Sequence, residues 1–210
     1  MTQPNMPADF FWGNSVSSMQ TEGAWQEDGK GLSVYDVRPA TDHTMDWHDA
    51  IDEYHRYAED LDLMADMGMN MYRIQISWSR VVPDGDGAFN EAGIQYYSDL
   101  IDAMIARGIE PMVNLYHFDM PLALAKSDNG FMSRHTVDAF VRFGAEMFKR
   151  FSDRVKYWIT FMRCLRFQVM TMGNGRCQRC IASSIIRCWP MRAWMRLRIP
   201  SIQAYNLAVC

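Results

Sequence analysis

Three side chains stand within or just after predicted strands, and each can make directed polar contacts. Arg73 lies inside the run Met-Asn-Met-Tyr-Arg-Ile-Gln-Ile at 69–76. A guanidinium within a strand needs a partner, because a buried unpaired charge is costly. His117 follows a predicted strand at 109–116, and Gln20 follows a short apolar run at 10–15. Imidazole and amide each offer a donor and an acceptor. Taken singly, however, His117 reads as a packing or backbone-bonding group and Gln20 as a loop amide. A second chemistry stands at the other end of the chain. Cys177-x2-Cys180, flanked by Cys164 and Cys188, has the spacing of half a zinc site. Eight arginines without one acid in the same stretch have the composition of a nucleic-acid-binding segment. Against both, the cysteine intervals match no common zinc module, no histidine occurs after His135, and the arginines gather on no single helical face. His43, His48, His55 and His135 read as loop or helix-face residues rather than metal ligands.

The elements that must position these groups follow from periodicity. Trp47, Ile51, Tyr54, Ala58, Leu61 and Ala65 recur at steps of three and four and predict a helix over 46–67, which Gly68 stops. Its acids, Asp49, Asp52, Glu59 and Asp66, read as a solvated face. Asn90 is placed to cap a second helix with the core face Ile94, Tyr97, Ile101, Met104 and Ile105. Ser133 caps a third, whose core face is Val137, Phe140, Val141, Gly144, Met147 and Phe148. Residues 155–161, Val-Lys-Tyr-Trp-Ile-Thr-Phe, are β-branched and aromatic and predict a fourth strand. Strands alternating with helices of this length predict parallel βαβ units. An open doubly wound sheet and a (β/α)8 barrel both fit. No G-x-G-x-x-G and no P-loop supports nucleotide binding.

Composition divides the chain near Phe161. Residues 1–161 carry 13 basic and all 25 acidic residues, a net charge of −12; residues 162–210 carry eight arginines and no acid, a net charge of +8. All five cysteines, Cys210 among them, lie in the basic part. The expected organisation is therefore a domain at 1–161 and an unstructured Arg/Cys-rich tail at 162–210. The 210 residues suffice for a domain with a core but fall short of the roughly 250 typical of a closed eight-stranded α/β barrel. No signal-like N-terminus and no apolar run of about 18 residues is present, so a cytoplasmic protein without membrane contact is expected.

The strand ends separate the two architectures. Phe-Trp-Gly with Gln20-Thr-Glu-Gly-Ala-Trp25, then Tyr54-His-Arg-Tyr-Ala-Glu-Asp60 and Tyr72-Arg-Ile-Gln-Ile-Ser-Trp-Ser-Arg80, resemble glycoside hydrolase family 1. So do Phe89-Asn-Glu, Tyr116-His-Phe-Asp-Met-Pro121 and Asp153-Arg-Val-Lys-Tyr-Trp-Ile-Thr-Phe161. The resemblance implies the N-terminal half of a (β/α)8 TIM barrel, about four βα units, with site residues at the C-terminal strand ends. It implies a β-glucosidase or 6-phospho-β-glucosidase acting on a small-molecule β-glucoside without metal or organic cofactor. Two glutamates would do the chemistry, one protonating the leaving oxygen and one attacking the anomeric carbon. Gln20 and His117 would bind sugar hydroxyls, and Arg73 would orient the nucleophile and keep it ionised.

The same resemblance exposes a departure. After Thr-Phe the family has Asn-Glu, and that Glu is the catalytic acid; here Met162 and Arg163 follow. Arginine holds its proton too tightly to act as an acid near neutral pH, and the nucleophile would lie beyond Cys210. The chain as written is expected to be inactive. Loss of one A from AAT-GAG reads ATG-AG, which spells Met and then Arg or Ser, so a frameshift after Phe161 is expected. The competing expectation is a non-catalytic protein whose basic, Cys-containing tail binds zinc or nucleic acid, and nucleic acid is not the favoured partner. Half a barrel has two open sheet edges, so edge-to-edge self-association or aggregation is expected.

Overall fold

The computed structural model describes residues 6, 7, 9–44 and 46–162. Four strands, β1 (Gly13–Ser15), β2 (Met71–Gln75), β3 (Glu110–Asn114) and β4 (Tyr157–Ile159), form one sheet in chain order, every pair parallel. Gly13 pairs with Met71 and Met71 with Glu110, and Met112 pairs with Tyr157. Long helices make the crossovers: α2 (Glu53–Asp66), α4 (Glu91–Ala106) and α6 (Arg134–Phe151). Short helices lie after the first three strands, α1 (Ser18–Thr21), α3 (Trp78–Val81) and α5 (Leu122–Asp128). This is the strand–helix alternation expected of the first part of an α/β barrel.

The pleat decides which side chains meet the helices. Tyr72 and Ile74 of β2 enter the main core with Ile101 and Met104 of α4, and Val113 and Trp158 do the same from β3 and β4. Arg73 and Gln75 alternate with them and so project from the other, concave face. Between α3 and α6 the core is aromatic: Trp78 stacks on Phe143 at 5.6 Å and meets Phe140 edge-on at 5.4 Å. Ion pairs join successive outer helices, Arg107 to Asp62 at 2.6 Å, Arg150 to Glu91 at 2.7 Å and Arg154 to Asp102 at 2.5 Å. Being exposed, such pairs contribute little stability each.

Several boundaries differ from the sequence expectation for local reasons. The helix predicted at 46–67 begins only at Glu53, because Ala50 (φ 48°) and Asp52 (φ 55°) adopt left-handed conformations that no helix continues through. Ile51, counted as core, is left 48% exposed. The run at 10–15 pairs only from Gly13, and Phe10, Phe11 and Trp12 stay exposed. Asn90 stands at the N-cap of α4 but caps with no side-chain bond; its amide donates instead to the carbonyls of Asp28 (2.7 Å) and Arg80 (2.8 Å). Ser133 does cap α6, accepting from the His135 N–H at 3.1 Å. Of the predicted core faces, Ile105 is exposed and Val141 half-buried, while the other positions on α4 and α6 are buried.

Helix α4 approaches α3 closely enough to require glycine at position 93. A Cβ there would lie 2.5 Å from the Arg80 carbonyl oxygen and 3.0 Å from its Cγ. Gly93→Ala is therefore expected to destabilise the fold by about 1–3 kcal/mol through overpacking, read as a lowered denaturant midpoint. An unchanged midpoint would contradict the close contact.

Candidate active site

The chain after β1 runs into α1, and two buried polar clusters hold it there. In the first, Glu22 at the end of α1 receives Arg80 Nε at 3.0 Å and the hydroxyl of Tyr97. Arg80, fully buried, also donates to the carbonyls of Gly23 (3.1 Å) and Ala24 (3.3 Å) and lies 4.3 Å from the centre of the Tyr54 ring. Beside it Glu53 accepts from Thr21 and Tyr72, each at 2.5 Å. Burial pushes the Glu53 carboxyl above its ordinary range, outweighing those two donors. In the second cluster Gln75, at the end of β2, donates to Asp119 Oδ1 at 2.5 Å and accepts the Ser18 N–H at 3.1 Å. Asp119 further accepts from Ser18 Oγ and the His117 N–H, both at 3.3 Å.

The sequence-derived site residues lie on or just after the first three strands. Arg73 projects from β2, His117 follows β3, and Gln20 sits in α1 rather than in a loop. Arg73 Nη1 donates to Met162 Sδ at 3.3 Å, and its Nε is buried without a partner. Burial lowers the Arg73 pKa, and among the described residues no carboxylate answers it. His117 is half-buried with an unpartnered Nδ1; burial first, and then the charge of Arg73, hold its pKa below the usual imidazole value. A neutral imidazole is thereby favoured, able both to donate and to accept. Gln20 is exposed, and its Oε1 accepts from Ser17 Oγ at 2.5 Å. Arg73, His117 and Met162 are thus brought together on the concave face. Gln20 is tied to Ser17, whose neighbour Ser18 bonds Gln75 and Asp119. A small polar cleft behind α1, walled by Ser18, Glu22, Lys30, Asp36 and Asp119, is a different place: none of Gln20, Arg73 or His117 lines it.

Sequence reasoning missed Glu22, Glu53, Gln75, Arg80 and Asp119 as site supports. The signal present was a polar residue interrupting an apolar run, as at Gln75 and Arg80, which was applied only to Arg73. Arg163 and the cysteines at 164, 177, 180, 188 and 210 lie outside the described residues, as does the whole tail beyond Met162. No helix among the described residues is long and apolar enough to cross a membrane.

Comparison with known proteins settles the ancestry of this arrangement. The family model for Glycosyl hydrolase family 1 matches residues 2–179. The chain belongs to that family. Its match runs past Phe161 into the basic stretch. An aryl-phospho-β-D-glucosidase of Bacillus subtilis is 46% identical over 172 residues, covering 75% of this chain and 36% of that protein. A coniferin β-glucosidase of Pinus contorta is 47% identical, covering 74% of this chain and 31% of that protein. A putative β-glucosidase of Arabidopsis thaliana aligns at 45% identity over 99% of this chain and 39% of its own length. Among solved structures, a rice β-glucosidase superposes with a TM-score of 0.68 at 46% identity, over 73% of this chain and 33% of its own. A Thermotoga maritima β-glucosidase bound to noeuromycin gives 0.71 at 34%, over 76% and 37%. The family 1 chain therefore spans about a third of the length of the relatives it matches, and it has the partial α/β-barrel fold of these neighbours.

The buried Asp119 makes the site's support sensitive to pH. Burial raises its carboxyl to about 7, against the pull of its backbone donors and Gln75. A carboxylic acid in the unfolded chain titrates near 4. Between those values the native state holds the extra proton, so stability falls as pH rises from about 4 to about 7 and is flat above. Asp119→Asn is expected to remove that slope, worth on the order of 2 kcal/mol between pH 5 and 8. Urea midpoints of both chains at the two pH values measure it; parallel midpoints would contradict the assignment.

Proposed function

We propose that this chain is the N-terminal part of a retaining β-glycosidase acting on β-glucosides, plain or 6-phosphorylated, and that the chain as written is inactive. The observation that supports the reading is the proximity of Arg73, in β2, to His117, just beyond β3, with Gln20 on the segment that follows β1. Gln20 and His117 bind hydroxyls of the sugar. Among the described residues Arg73 meets no carboxylate, as expected where the nucleophilic glutamate of a complete barrel would be held ionised. In that mechanism the nucleophile attacks the anomeric carbon, while a second glutamate gives its proton to the departing oxygen and then activates water. Position 163, where that acid belongs, holds arginine. With arginine there, the departing oxygen meets no acid at that position, and the sequence of steps stalls at its protonation.

The Met162-Arg163 pair is accounted for by one lost base in a family 1 gene. Methionine has a single codon, ATG, so restoring the frame makes the next codon begin with G. Met162-Arg163 then gives GAG, glutamate, when the arginine codon is AGA or AGG. Met170-Thr171 gives GAC, aspartate, in a stretch that as written has no acid at all. The family match continues to residue 179 of the chain as written, which weighs against a grafted zinc or nucleic-acid module and is not what an out-of-frame reading would give by itself. Cytoplasmic location remains part of the same proposal.

The test is direct. The chain is expected to hydrolyse neither p-nitrophenyl β-D-glucoside nor its 6-phosphate, yet to bind salicin weakly by saturation-transfer NMR. Gln20→Ala or His117→Ala should weaken that binding by about tenfold, the cost of losing one directed hydrogen bond to a ligand. Turnover of either substrate above the buffer rate would contradict the inactivity. Binding indifferent to both substitutions would contradict the sugar site.

A further inference from the structure

The proposed sugar ligands do not touch the buried pair Gln75–Asp119, yet both hang from it. Gln75 is 2% exposed and Asp119 1% exposed, and each lies among strand ends where an apolar side chain would fill the space at less cost. Their hydrogen bonds run in one direction across the fold. The Ser18 N–H and hydroxyl, which open α1, reach Gln75 Oε1 and Asp119 Oδ2. From the opposite side the backbone N–H of His117 reaches Asp119 Oδ1. Segments separated by about a hundred residues thus meet on one carboxyl group. Ser17, next to Ser18 and fully buried, holds the side-chain oxygen of Gln20 at 2.5 Å, which leaves the Gln20 amide N–H group for a ligand. The path from His117 to the Gln20 side chain therefore consists of named hydrogen bonds and two adjacent serines.

We propose that Asp119, acting through Gln75 and Ser18, is a positioning residue that fixes Gln20 relative to His117. It touches no substrate. It holds α1 against the end of β3 so that the two hydroxyl-binding side chains keep one spacing, which is what a preorganised polyol site needs. The inference rests on the sugar-site reading only for what Gln20 and His117 bind; the mechanical link stands on the hydrogen bonds alone. Asparagine at 119 would keep an acceptor for Gln75 and His117, and its amide would donate to the Ser18 hydroxyl. Alanine would keep none of these bonds. The two substitutions therefore separate positioning from filling space and from charge.

Amide hydrogen exchange on the 210-residue chain, read by mass spectrometry at pH 6, tests this. Asp119→Ala should raise exchange about tenfold or more in both 17–23 and 116–121 while α6 keeps its protection, as expected when one buried hub opens locally. Asp119→Asn should leave both segments within about twofold of wild type. Should Asp119→Ala also strip α6, Gln75→Met, which keeps the volume and removes the bonds, serves in its place with the same expectation. Loosening of 116–121 alone, or no protection of 17–23 in the wild type, would overturn the proposal. So would an Asp119→Asn chain that exchanges like Asp119→Ala. Salicin binding, followed on the same chains, should weaken with Asp119→Ala and recover with Asp119→Asn. If wild type gives no salicin signal, the sugar-site reading fails, and the exchange pattern still decides the positioning role.

Discussion

A guanidinium taken wholly out of water has to be met by fixed partners, and Arg80 dictates much of what surrounds it. Its charge is answered by Glu22, its Nη2 by the carbonyls of Gly23 and Ala24, and its flat face by the Tyr54 ring, while its Nη1 is buried without a hydrogen-bond partner. Because those partners come from the segment after β1 and from α2, the pair fastens the start of the chain to the turn after β2. Removing one member of such a buried pair typically costs about 3–5 kcal/mol, since the other charge is left stranded. The need for Gly93 has the same origin: α4 passes against the Arg80 backbone that the pair holds in place. Gln20 owes its position to this fastening, for α1 would otherwise be four residues of helix with no means of standing alone.

Two polar clusters, Glu22–Arg80–Tyr97 and Ser18–Gln75–Asp119, grip the two ends of the same short helix, and Ser18, Glu22 and Asp119 wall one cleft behind it. The site is thereby built on strand ends and on a loop made rigid by buried bonds, the usual arrangement for a scaffold that must hold a ligand's hydroxyls. What these residues provide is binding geometry, an unpaired cation and a neutral imidazole. What they lack is a carboxylate facing Arg73. Met162 occupies that neighbourhood, and its thioether is a weak acceptor for a guanidinium. Under the proposed reading, the first part of the barrel would supply recognition and leave the acid–base chemistry to glutamates that these described residues do not include.

Much of this was legible in the sequence because the signals were local. The 3.6-residue pattern gave α4 and α6 with nearly the right faces, and Ser133 announced its own cap. The family itself was recognisable because the motifs around Gln20, Arg73 and His117 fall in family order. Less legible was anything set by partners distant in the chain. The helix predicted from 46 starts at 53 because Ala50 and Asp52 turn left-handed, where no periodicity warns of it. Asn90 had the look of a capping residue, yet its amide serves the carbonyls of Asp28 and Arg80. Glu53 was not distinguished from the acids of the predicted helix, although two hydroxyls hold it inside the protein. Asp119 read as part of a motif without a task; only the fold brings Ser18 and Gln75 to it.

The central claim is that a working family 1 site begins here and is interrupted between Phe161 and Arg163. Sequencing the gene across the codons for Phe161 to Cys164 and several hundred bases onward tests that most directly. One restored base should give Thr-Phe-Asn-Glu, followed by an open frame that carries a second glutamate and the remaining strands of the barrel. A confirmed Met-Arg codon pair with no such frame downstream would contradict the account, and residues 162–210 would then need a role of their own.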